Sequence, residues 1–194
     1  MIKYIQCPDV YEHVQGSGEN AIFIGGGISG CDVWQDRFIE MIKDIDAVII
    51  NPRRKDFDLS NQDLVKEQIQ WEFDHLRLTN AKAFWFSPET LCPITLYEYG
   101  YWLASHLALG DLYTATPSFN MIEPHKLFVG VHPDYKRRLD VLEQTRLAVE
   151  ATEGHDPLFR VEPVDSLEEL AKQVVDHFAN YKPSWDGPTD SAHI

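Results

Sequence analysis

The chain has 194 residues, 44% of them hydrophobic and 25% charged, the composition of one soluble globular domain long enough to bury a core. Its 31 acidic against 17 basic side chains give a formal net charge of -14. That balance argues against a nucleic-acid polymer as partner, because phosphate backbones are gripped by clustered Lys and Arg. No window approaches the ~20 apolar residues of a membrane span, and the first residues carry no signal-peptide pattern. Cys7, Cys31 and Cys92 are odd in number and lack metal-ligand spacing. The expectation is a cytoplasmic protein with reduced thiols and no membrane contact.

In chain order, Ala21 to Gly25 (AIFIG) reads as a buried strand that runs into glycines. Asp32 to Lys43 carries apolar residues at helical spacing, and Asp46 to Asn51 (DAVIIN) is a second strand ended by Pro52. A polar loop follows to Ser60, then a helix over Asn61 to Leu78 and a third strand, Ala81 to Phe86 (AKAFWF). Pro93 opens a helix to about Leu109, since proline suits a first helical turn. A fourth strand covers Leu127 to Val131, helices cover Tyr135 to Glu150 and Ser166 to Asn180, and a short strand is expected at Leu158 to Val161. Strands alternating with helices predict an α/β fold, a doubly wound parallel sheet (flavodoxin-like or Rossmann-like) with helices on both faces. Ligands in such sheets sit at the carboxyl ends of the strands. One domain spans 1–181, and 182–194 reads as a flexible tail or an arm toward a neighbouring subunit.

Several segments could carry chemistry at that edge. Gly25 to Gly30 (GGGISG) satisfies G-x-G-x-x-G between a strand and a helix, where backbone N–H groups can approach an anion. The second strand ends in Asn51-Pro52-Arg53-Arg54 rather than in an acid, so a nicotinamide cofactor fits poorly, and a tight turn that binds nothing remains open. The helix after Pro93 is apolar almost all round, and Glu98 is the lone acid in its first turns. Such a carboxyl is either a cap or ion-pair member, or a functional group near the ligand edge. The preceding helix holds Glu72 and Asp74, two apart and therefore unable to share a face. Two carboxyls at one pocket would permit covalent glycosyl chemistry. No H-E-x-x-H, Cys–His cluster or G-x-S-x-G is present, so neither a metal centre nor a serine hydrolase is indicated.

FIGGGISGCDVWQ, VIINPRR, QIQWE, FWFSPETLCPITLYEYG and VGVHPDYKRRLDV together resemble the nucleoside 2-deoxyribosyltransferase-like proteins, over roughly Ala21 to Leu147. The resemblance implies a homo-oligomeric enzyme that exchanges the base of a 2'-deoxynucleoside through a covalent deoxyribosyl-enzyme, with no cofactor. By the family's pattern Glu98, followed by Tyr99 and Gly100, is the nucleophile, and Glu72, or Asp74 beside it, is the second carboxyl. Gly26, Gly27, Ile28, Ser29, Asn51, Arg53, Trp71, Pro88 and Glu89 are the expected substrate-binding residues. Six positions before the nucleophile the family carries an acid that contacts the base, whereas this chain has Cys92, with Glu89 as a substitute. A polar residue that relatives borrow from a neighbour's carboxyl terminus has no clear counterpart here. Arg53 and Arg54 could accept a 5'-phosphate, making the substrate a deoxynucleotide. The alternatives are an N-glycoside hydrolase of the same substrates and a non-catalytic nucleotide-binding sensor.

Overall fold

Four short apolar runs, β2 (Ala21–Gly26), β3 (Val48–Asn51), β4 (Ala81–Phe86) and β5 (Lys126–Val131), are buried along almost their whole length, as strands covered on both faces must be. The computed structural model describes residues 3–12, 19–115, 125–152 and 159–180. A fifth strand, β1 (Tyr4–Gln6), joins them in a wholly parallel sheet of order β1-β3-β2-β4-β5. This is the doubly wound, flavodoxin-like arrangement.

Strand residues alternate between two cores. Phe23, Val48, Ile50, Phe84, Phe86, Leu127 and Val129 face α2 (Gln62–Leu78), α3 (Pro93–Ala115) and α4 (Arg138–Glu150). Ile22, Ile24, Ile49, Ala83, Trp85 and Phe128 face α1 (Trp34–Ile42) and α5 (Leu167–Asn180). The chain leaves β2 first toward β3 and later returns to β4 on its other side, so the sheet's switch point lies between β2 and β4. The carboxyl ends there open a crevice between the helical layers.

Local chemistry sets the element ends. The Asn61 side chain accepts from the backbone N–H groups of Asp63 and Leu64, capping α2. Ser166 and Glu169 bond reciprocally to each other's backbone N–H, a capping box that starts α5.

Three expectations need correction. β1 is an added edge strand: three residues are too few to show a periodicity, and its register comes from pairing with β3. α3 runs to Ala115 instead of Leu109, because a helix packed against a sheet tolerates Gly110 within it. The short strand expected at 158–161 is absent from the described part of that span. Phe159 is tied there by His106, whose Nε2 meets its carbonyl, and the sheet is met later, at Val164 opposite Gly130. Residue 158 and the tail at 182–194 lie outside the described residues. None of the described helices is long and apolar enough to cross a membrane.

Lys82 is the costly residue of this core. It is 1% exposed, its Nζ donates to the Thr79 carbonyl at 2.6 Å, and it lies 4.1 Å from the centre of the Trp102 ring. Burial still lowers its pKa from 10.5 to about 7. Between those values the unfolded chain binds more protons than the folded one, so this residue makes stability rise with pH from about 7 upward. Lys82→Met should therefore raise stability by roughly 3 kcal/mol at neutral pH. The gain should shrink by pH 9, as chemical denaturation of both forms at the two pH values would show.

Candidate active site

β2 ends in glycines because nothing else fits. A Cβ on Gly26 would lie 2.4 Å from the Trp34 ring and 2.7 Å from the Trp85 carbonyl oxygen. One on Gly27 would lie 2.4 Å from the Cys31 sulfur and 3.0 Å from that of Cys92. The freed Gly27 carbonyl accepts from Trp34 Nε1 at 2.9 Å and Gln35 Nε2 at 3.3 Å. Gln35 in turn accepts from Arg53 at 3.0 Å, so the glycine turn and the end of β3 are held as one wall. Ile28 is half-buried and Ser29 exposed on that turn.

The end of β3 is internally satisfied. Asn51, 1% exposed, donates to the Tyr4 hydroxyl and accepts from the backbone N–H of Arg53, each at 2.9 Å. Arg53 is thus anchored at both its backbone and its guanidinium. Arg54 instead turns into a cleft of about 520 Å³ with Cys7, Asp9 and Lys55, where it is ion-paired with Glu67.

On the α2 to α4 side the structure brings two carboxyls together. Glu98, in the second turn of α3, and Glu72, on α2, are each partly buried. Burial, reinforced by the charge of Glu72, pushes the Glu98 carboxyl up to about 8. Glu72 is also raised by burial, but Gln68 opposes this by donating to its Oε1 at 2.8 Å. Gln68 is buried and fully engaged: it also donates to the Pro52 carbonyl at 2.8 Å and accepts from the Cys7 thiol at 3.0 Å. Glu72 is therefore the member of the pair that carries negative charge more easily, and Glu98 the one held neutral.

Asp74 is not brought to this pair. It is exposed, and Gln70 donates to both of its oxygens at 3.0 Å. Trp71 is buried beside Glu72, donating to the Asp9 carbonyl at 2.8 Å and stacked on His75 with ring centres 3.8 Å apart. His75 accepts from the Tyr11 N–H at Nε2, so its Nδ1 carries the proton donated to the Trp71 carbonyl.

Pro88 and the exposed Glu89 line a different cleft, of about 570 Å³, between α1 and α5, with Trp34, Trp85, His132 and Asp165. Neither Glu98 nor Glu72 lies on its wall. Cys92 is buried, with backbone φ of 45°, and its N–H bonds the Thr90 hydroxyl. At that depth its sulfur packs against Gly27 of the glycine turn. Gln68, Gln35, Cys7 and Tyr4 were missed by sequence reasoning. Only Gln68 had a signal, its i, i+4 spacing to Glu72 on one helical face. Among the described residues no group of three or more His, Cys, Asp or Glu could hold a metal ion.

Residues 19–109, which hold the glycine turn, Glu72 and Glu98, match the sequence model of a family described as nucleoside 2-deoxyribosyltransferase like. The match supports a nucleoside-handling enzyme with small-molecule nucleoside substrates. No curated protein matched the chain.

Because the charge of Glu72 contributes to holding Glu98 near 8, Glu72→Gln should lower the Glu98 midpoint while leaving it above the usual carboxylate range. Carbon-detected NMR titration of glutamate-labelled protein would read this. An unchanged midpoint would mean that the two carboxyls do not interact.

Proposed function

With residues 19–109 belonging to the nucleoside 2-deoxyribosyltransferase-like family, we propose that this protein transfers the 2-deoxyribosyl group between nucleobases through a glycosyl ester on Glu98. The observation that carries the reading is the Glu98–Glu72 pair, two partly buried carboxyls in electrostatic contact within the family-matching segment.

The pair shares one proton below pH 8 or so, and the form with that proton on Glu72 is the reactive one. A Glu98 carboxylate oxygen attacks C1' as the N-glycosidic bond breaks, and the departing base takes the bonding electrons together with a proton from Glu72. An incoming base attacks C1' from the vacated face, expels Glu98 and returns its proton to Glu72. Two inversions give net retention. No metal or redox cofactor enters these steps. The missing 2'-hydroxyl eases the oxocarbenium-like transition state. Gly26 and Gly27, held by the tryptophans, supply a rigid wall, and Arg53 stands at the strand end beside it.

A homo-oligomer completes this picture. Ile94, Tyr97, Tyr101, Ala104, Ala108 and Leu112 form one exposed stripe along α3, with Ile94 61% and Tyr97 76% exposed. Glu98 sits at the stripe's border, so a second copy docked there would close over the carboxyl pair and exclude water.

Mass spectrometry with a 2'-fluoro-2'-deoxynucleoside should trap an adduct on Glu98, and Glu98→Gln should lower base exchange on the order of 10³-fold or more. An adduct elsewhere would overturn the assignment. Against pH, kcat/KM should fall above about 8, where the shared proton is lost. Release of free deoxyribose at the same rate with and without an acceptor base would replace transfer by hydrolysis. Ala108→Glu should reduce the sedimentation coefficient without loss of far-UV helix signal. An unchanged coefficient would remove the stripe from the subunit contact.

A further inference from the structure

Two of the three cysteines, far apart in sequence, meet at one point of the backbone. Cys31 lies just beyond the glycine turn, and Cys92 sits immediately before the first residue of α3. The position of a Cβ on Gly27 is 2.4 Å from the Cys31 sulfur and 3.0 Å from the Cys92 sulfur, so the sulfurs are no more than about 5.4 Å apart. The Ser87 hydroxyl reaches into the same space, donating to Cys31 Sγ at 3.4 Å. A side chain on residue 27 would separate the two thiols, and the glycine leaves them facing each other.

The two thiols are unequal. Cys92 is buried, and its left-handed backbone is held by the Thr90 hydroxyl on its N–H and by the Leu96 N–H on its carbonyl. Cys31 is half-exposed on a segment that contains Gly30, whose φ of 73° and open surroundings allow the turn to adjust. One sulfur is fixed and sheltered, while the other is accessible and adjustable. Cys7 is different: it is buried at the β1–β3 edge and donates to Gln68 Oε1 at 3.0 Å.

We propose that Cys31 and Cys92 are a modification site, a thiol pair that a peroxide-class oxidant closes into an intramolecular disulfide. The Cys31 sulfur attacks a peroxide oxygen and is oxidised to the sulfenic acid, with one water released. The Cys92 sulfur then attacks the Cys31 sulfur and expels the oxygen as a second water. Two thiols thus lose two protons and two electrons, and one peroxide is reduced to two waters. Two equivalents of a thiol reductant reverse the change. Burial raises both thiols, Cys92 to about 11, so little thiolate forms at neutral pH and the pair stays reduced until oxidant is supplied. The closed bond would tie the glycine turn to the amino end of the helix that carries Glu98. The chemistry of the pair does not rest on the glycosyl-transfer reading.

Full-length protein is treated with hydrogen peroxide, alkylated and mapped without reduction. The expected product is a monomer that has lost two of its three alkylatable thiols to one Cys31–Cys92 link, restored by dithiothreitol. Cys31→Ser should abolish the link and Cys7→Ser should leave it intact, with circular dichroism confirming that each variant folds. Three free thiols after oxidation would overturn the proposal. So would sulfinic acid on Cys31 without a cross-link, or a link that uses Cys7 or joins two chains.

Discussion

The candidate site depends on how closely the chain approaches itself where β2 ends. The Trp34 ring from α1 and the Trp85 backbone carbonyl of β4 press on Gly26 to distances that no side chain could share. The contact fixes the turn in two ways. It seats α1 against the sheet through apolar burial, and it leaves the Gly27 carbonyl open to the Trp34 and Gln35 donors. Gln35 then holds Arg53, so the tip of β3 is positioned by the same carbonyl. A rigid edge therefore arises from packing and a few hydrogen bonds, without a dedicated ligand contact. Preorganisation of this kind is what a site for a small, weakly charged substrate needs, since little binding energy is available to order a loop.

Against that wall the two carboxyls are held unequally. Glu98 has partial burial and the charge of Glu72 acting on it, and both disfavour ionisation. Glu72 has the buried amide of Gln68, itself fixed by Pro52 and Cys7 from the β1–β3 edge. The edge strand β1 thus bears on the carboxyl pair although it lies at the far side of the sheet, because Cys7 at its end donates to the Gln68 that bonds Glu72. Holding Glu98 partly buried has a cost in folding stability that grows with pH from its ordinary range toward 8, since the unfolded chain releases this proton earlier. A group retained at such cost is more readily explained by reactivity than by packing.

Much of this could be read from residues alone. The strands and helices around Glu98 follow largely from residue patterns: β2, β4 and α2 appear where apolar spacing puts them, and α3 opens at Pro93 as expected. The family resemblance, which includes Glu72 and Glu98, runs from about Ala21 to Leu147, and the family model matches residues 19–109. What escaped was tertiary. β1 is three residues whose strand character exists only in its pairing with Ile49, Ile50 and Asn51. Asn51 is expected at the substrate from the family resemblance, and residues alone did not show that its side chain bonds Tyr4 and the Arg53 N–H. Pro88 and Glu89 are close to α3 in sequence, yet they line a cleft on the opposite helical layer. Sequence distance carries no information about which side of a sheet a loop turns to.

A shifted pKa alone would not have located the site, and Lys82 shows why. Its displacement is as large as that of Glu98, and it is more deeply buried. It belongs to the amino half of β4, however, where the Thr79 carbonyl accepts its hydrogen bond and the Trp102 ring covers its charge. Those contacts enclose the ammonium, so the shift reports a packing cost. Glu98 has a similar shift at the carboxyl edge, is partly open to solvent, and has a second carboxyl in reach and a glycine wall nearby. The difference lies in accessibility and in the partner, which decide whether a proton held at an unusual pKa can be exchanged with a substrate.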